Sequence, residues 1–123
     1  MIEALHHIAL IASSETSLPF YELLGFHETL RIKRERDTVV LMEGYGIRLE
    51  VFIDPRHPLH KDREEPYGLL HFGLKVNRLE DEMERLKAAA EWKVEFSPIM
   101  TDWTGIRFVN ILSPDGVKFE LHE

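Results

Sequence analysis

The 123-residue sequence predicts an α+β fold of two βαβββ modules that together make a curved eight-stranded mixed sheet. Three observations predict it. One order of elements, a strand, a helix and then three strands, runs twice along the chain. Short segments at the start and end of each run match in residue type. Between the runs, residues 54–68 hold Pro55, Pro58 and Pro66 among many charges and show no periodicity, as a linker loop would. The expected organisation is a single domain over 1–123, with modules at 1–53 and 69–123.

The elements follow in order. Leu5–Ala12 is apolar apart from His6 and His7 and reads as a largely buried strand. Ser17 is positioned to cap a short helix with Pro19 in its first turn and an apolar stripe of Phe20, Leu23 and Leu24; Gly25 ends it. Strands are expected over His27–Lys33, Thr38–Glu43 and Ile47–Ile53, with Gly44-Tyr45-Gly46 turning between the last two. After the Pro-rich interval, Leu69–Val76 is apolar again. Leu79–Ala90 places Leu79, Met83, Leu86 and Ala90 on one helical face, with acids toward its N-terminus. Val94–Ile99, Ile106–Leu112 and Val117–His122 complete the second run, and Ser113-Pro114-Asp115-Gly116 turns between the last two.

Composition narrows the chemistry. A formal net charge of −7 argues against nucleic acid as a partner. The basic stretch Arg31-Ile32-Lys33-Arg34-Glu35-Arg36 alternates, is broken by an acid, and reads as a strand edge. The chain has no cysteine, so thiolate catalysis, disulfides and Cys-type zinc sites are excluded. Met1-Ile2-Glu3-Ala4 lacks the basic and apolar regions of a signal peptide, and no stretch nears the ~18 apolar residues of a membrane span. The expectation is a cytoplasmic protein with a small-molecule substrate and no membrane partner.

The matched segments carry chemistry. Leu5-His6-His7-Ile8-Ala9-Leu10 aligns with Leu69-Leu70-His71-Phe72-Gly73-Leu74, each with histidine third. Ile47-Arg48-Leu49-Glu50-Val51 aligns with Val117-Lys118-Phe119-Glu120-Leu121, each with glutamate fourth. Alternation along a strand sets Glu50 opposite Leu49 and Val51, and Glu120 opposite Phe119 and Leu121. A lone histidine in an apolar strand is ordinarily structural, and a lone glutamate ordinarily faces solvent. Their matched recurrence in both halves points instead to a site. His7, Glu50, His71 and Glu120 supply two imidazoles and two carboxylates, and octahedral coordination would leave two places for substrate oxygens. The sheet would then enclose a divalent metal ion: Ni, Zn, Co, Mn or Fe. His7 is preferred to its neighbour His6 because the alignment selects the third position. His122, two residues beyond Glu120, is a secondary pocket candidate.

Across nearly its whole length the chain resembles the glyoxalase/bleomycin resistance/extradiol dioxygenase (vicinal oxygen chelate) superfamily. The resemblance is carried by His7-Ile8-Ala9-Leu10, Phe20-Tyr21-Glu22-Leu23-Leu24-Gly25-Phe26, Leu49-Glu50, His71-Phe72-Gly73-Leu74 and Ser113 to Leu121. The full His/Glu/His/Glu set is most similar to the glyoxalase I branch, the lactoylglutathione lyase-like proteins. That resemblance implies a metal-dependent lyase or isomerase acting on a small α-oxo or thiohemiacetal substrate. Its metal ligands would be His7, Glu50, His71 and Glu120, with Glu120 first and Glu50 second as the proton-carrying base. It also implies a homodimer. The alternatives are a metal-dependent dioxygenase or antibiotic-resistance enzyme, and a non-catalytic small-molecule binder. Arg34, Arg36, Trp103 and Arg107 are candidates to grip an anionic substrate, although Trp92 and Trp103 read more naturally as packing residues.

Overall fold

A computed structural model of the chain describes residues 1, 3–56, 71–90 and 93–123. Residues 57–68 of the linker expected over 54–68, the apolar pair Leu69 and Leu70, and Trp92 lie outside the described residues. The chain packs as two compact units, Met1–Leu59 and His60–Glu123.

The first unit runs β1 (Ile8–Ala12), α1 (Leu18–Leu23), β2 (His27–Lys33), β3 (Thr38–Gly44) and β4 (Ile47–Ile53). Its sheet has the order β1-β4-β3-β2, with β1 parallel to β4 and the other neighbours antiparallel. The second unit runs β5 (Phe72–Lys75), α2 (Leu79–Ala89), β6 (Met100–Thr101), β7 (Arg107–Leu112) and β8 (Lys118–His122). Its sheet repeats the pattern as β5-β8-β7-β6, again with only the first pair parallel. The α+β class and the repeated βαβββ order are therefore present, with the strands hydrogen-bonded as two four-stranded mixed sheets.

Each sheet buries one face. In the first unit Leu10, Ala12, Val40, Met42, Leu49 and Val51 form that face, and α1 adds buried Phe20 and Tyr21. In the second, Val109, Ile111, Phe119 and Leu121 are buried with Leu79 and Leu86 of α2, and the Phe72 and Phe119 rings lie 5.4 Å apart. Period-2 alternation in β4 and β8 therefore turns Glu50 and Glu120 onto the opposite face.

The turns explain the strand ends. Gly25 closes α1 at φ 106°, where a side chain would collide with the Tyr45 phenol. Tyr45 and Gly46 both have positive φ, as a two-residue hairpin turn requires, and the Tyr45 hydroxyl donates to the Leu24 carbonyl. Two expectations are corrected. A 3₁₀ turn at Glu15–Ser17 precedes α1, and Ser14, not Ser17, provides the side-chain cap, accepting from the Thr16 amide. The strand expected at Val94–Ile99 shrinks to a bridge between Phe96 and Ile111, and pairing resumes only at Met100. Pro98 has no amide hydrogen to give the ladder, and the Ser97 hydroxyl accepts from the Asn110 amide nearby.

Arg107 ties the second unit together. It donates to both Glu80 oxygens, at 2.5 and 2.9 Å, and to Glu123 at 2.8 and 2.9 Å. Glu123 in turn accepts from the Leu79 amide at the start of α2. The guanidinium holds Glu80 at about 2, below its usual 4.5, and lowers Glu123 as well. Carboxyls held down in the folded chain add stability above the unfolded value and lose it as pH falls through the folded one. Relative to wild type, Arg107→Met is expected to show its largest stability deficit above pH 4.5, closing as pH falls toward about 2. Urea titrations across that window check it, and a constant deficit would refute the clamp.

Candidate metal centre

In the first unit His7 lies one residue before β1, and Ala9 pairs in register with Glu50 on β4. Two residues back from Ala9 is the same face, so the parallel pairing alone delivers the histidine beside the glutamate. His7 Nε2 lies 2.7 Å from Glu50 Oε2, with side-chain exposures of 41% and 24%. His7 Nδ1 lies 2.9 Å from His6 Nδ1. An ionised carboxylate only accepts, so His7 Nε2 is the donor side of its contact with Glu50.

The second unit repeats the arrangement. His71 lies one residue before β5, Gly73 pairs with Glu120 on β8, and His71 Nε2 lies 3.4 Å from Glu120 Oε2. These side chains are 31% and 16% exposed. Among the described residues, a Cβ added at Gly73 would meet nothing within 4 Å. The face beside Glu120 carries further polar groups. His122 Nε2 lies 2.9 Å from Asp102 Oδ2 and 3.7 Å from Glu120 Oε1, and its ring stacks on Phe108 at 5.9 Å. Asp102 also accepts from the Thr104 amide and hydroxyl and from the Ile106 amide, which hold it at about 2, below its usual 3.8. Asn110, in register with Glu120, buries its Oδ1 without a hydrogen-bond partner among the described residues.

The donors fit a divalent ion. Cis ligands with bonds near 2.1 Å stand about 3 Å apart, and the two His–Glu separations lie on either side of that value. Imidazole with carboxylate suits Zn, Ni, Co, Mn or Fe. Among the described residues, neither unit holds three or more His, Asp or Glu side chains placed to bind an ion by themselves. Each unit thus brings two of the four expected residues together as a pair.

A family model described as the Glyoxalase/Bleomycin resistance protein/Dioxygenase superfamily matches residues 4–121. The chain belongs to that superfamily. Among solved structures, this superfamily member is similar to a glyoxalase family protein from Enterococcus faecalis, at 28% identity and TM-score 0.86 over 98% of both chains. A fosfomycin resistance protein from Listeria monocytogenes, solved with Mn(II) and dihydroxypropylphosphonic acid, matches at 22% identity and TM-score 0.77, over 99% of this chain and 92% of that one. A lactoylglutathione lyase from Agrobacterium tumefaciens matches at 20% identity and TM-score 0.68, over 99% and 94%. At the two lower identities the likeness is one of fold. No curated protein matches the chain. Among the described residues no helix is long and apolar enough to cross a membrane.

The other sequence candidates fare differently in this glyoxalase-superfamily chain. Arg34 is engaged bidentately by Asp37 at 2.6 Å, Arg36 lies 3.7 Å from the same carboxylate, and Arg107 is held by its two glutamates. These arginines serve ion pairs. Trp103 is 97% exposed and packs into no core. A recess of about 820 Å³ lies beside the Gly44–Ile47 turn, lined by His6, Glu43 and Arg48 but by neither His–Glu pair. Asp102 and Asn110 escape sequence reasoning. Period 2 brings His122 forward, but nothing in the sequence marks Asp102, twenty residues earlier, as its partner.

Proposed function

We propose that this chain is a glyoxalase I-like, metal-dependent lyase or isomerase with His7, Glu50, His71 and Glu120 as ligands of one divalent ion. The observation that carries the reading is the recurrence of one His–Glu pair at one register in both units. Two isolated pairs would each be a poor site, whereas four nitrogen and oxygen donors make a competent one. Bound there, the ion supplies Lewis acidity that polarises substrate oxygens and acidifies the adjoining C–H.

The chain's own residues supply the rest. Glu120 takes a proton from the hydroxyl-bearing carbon beside the carbonyl and returns it to the former carbonyl carbon, while the hydroxyl proton passes to the former carbonyl oxygen, so the substrate is isomerised with no external oxidant or reductant. Glu50 is the second candidate for that role. Oε1 of Glu120 is the oxygen turned away from His71 and serves as the proton acceptor. Asn110 Oδ1, buried and lacking a donor among the described residues, is suited to accept from a substrate hydroxyl. The preferred substrate is an α-oxo compound or its thiohemiacetal.

The test is purified protein loaded with Ni²⁺, Zn²⁺ or Co²⁺ and given methylglyoxal with a low-molecular-weight thiol. One ion per chain and metal-dependent loss of the thiohemiacetal are expected. Protein with no affinity for any divalent ion overturns the reading. Bound metal without turnover, but with iron-dependent oxygen uptake on a catechol, moves the chain to the dioxygenase class.

A further inference from the structure

Equivalent positions in the two units surround their glutamates differently. Two residues beyond Glu50 stands Phe52, and two beyond Glu120 stands His122. The cross-strand partner of Glu50 is Leu41, and that of Glu120 is Asn110. The backbone registers coincide, so the contrast lies in the side chains alone.

We infer that the Asp102–His122 pair is a positioning device for Glu120, fixing which carboxylate oxygen faces His71, with no equivalent for Glu50 among the described residues. The inference rests on the proposed reading of Glu120 as a metal ligand. Asp102 is pinned by three donors from Thr104 and Ile106, so it is a fixed acceptor. An ionised carboxylate accepts only, so His122 presents Nε2–H to it at 2.9 Å, and the Phe108 stack sets the plane of the ring. The same N–H edge stands 3.7 Å from Glu120 Oε1. That is just beyond hydrogen-bond range and near enough for attraction between a partial positive charge and a carboxylate that is mostly out of water. Oε1 is drawn toward His122, which leaves Oε2 toward His71, 3.4 Å away. Groups that orient a metal ligand in this way typically change ion affinity by about 10–100-fold when removed.

The variants are His122→Phe, which copies the residue at the equivalent place in the first unit, Asp102→Asn and His122→Gln, which keeps a donor near the Nε2 position. Two readouts are taken: the dissociation constant for Mn²⁺ and the carboxyl ¹³C resonances of metal-free protein. His122→Phe and Asp102→Asn are expected to weaken Mn²⁺ binding about 10-fold and to shift the Glu120 resonance while leaving that of Glu50 in place. His122→Gln is expected to stay within about threefold of wild type. Unchanged Mn²⁺ affinity and an unmoved Glu120 resonance in His122→Phe overturn the inference. Wild type that binds no Mn²⁺ overturns the metal reading instead, and the metal-free resonances then decide the positioning claim alone.

Discussion

Glu120→Ala is expected to weaken divalent-ion binding by more than about 100-fold and to bring turnover of the thiohemiacetal to background. Removing it deletes one of four donors and the first-choice proton carrier together. The size of the loss is less informative than its stoichiometry. If four donors serve one ion, Glu120→Ala and Glu50→Ala each take bound metal from one equivalent per chain to none. If each unit held an ion on its own pair, either substitution would leave the other equivalent in place. Equilibrium dialysis with elemental analysis separates the two outcomes, and a retained equivalent would sink the four-donor proposal.

Phe119→Ala is expected to destabilise the chain by about 3–5 kcal/mol, read as a lowered urea midpoint. Phe119 is 2% exposed, lies against Phe72, and pairs in register with both Phe72 on β5 and Ile111 on β7. It therefore fills the centre of the buried face at the strand that carries Glu120. Stability of a domain this size is about 5–15 kcal/mol, so the substitution removes a large fraction of it. A loss below about 1 kcal/mol would mean that the neighbouring side chains collapse into the space.

Much of this was legible in the sequence because it rests on alternation and repetition. β2 and β4 fall at the residues their pattern predicts, and α2 ends one residue early. The His–Glu pairing was readable because a matched residue type at a matched place in two repeats needs no knowledge of distance. β1 begins only at Ile8, leaving His7 outside the ladder, so the strand expected from Leu5 was too long. The capping role of Ser14 was missed because several hydroxyl residues, Ser13, Ser14, Thr16 and Ser17, compete for it, and only the local turn decides. The Asp102–His122 contact was illegible for a different reason. It joins a turn to a strand across the β6–β7 hairpin, and no local pattern encodes it.

Each histidine lies one residue before an end strand: among the described residues β1 and β5 each have one hydrogen-bonded neighbour, β4 and β8 respectively. The glutamates ride on interior strands, paired on both sides. Within each pair the imidazole is therefore the half that frays, since an end strand opens at a lower free energy than an interior one. The β1–β4 and β5–β8 pairings also join distant parts of the chain, so they are expected to form late, after the local hairpins. A cation that bridged imidazole to carboxylate would act as a rivet on the last strand to arrive. Its grip would then be felt in amide protection along β1 and β5 before it was felt in the buried cores.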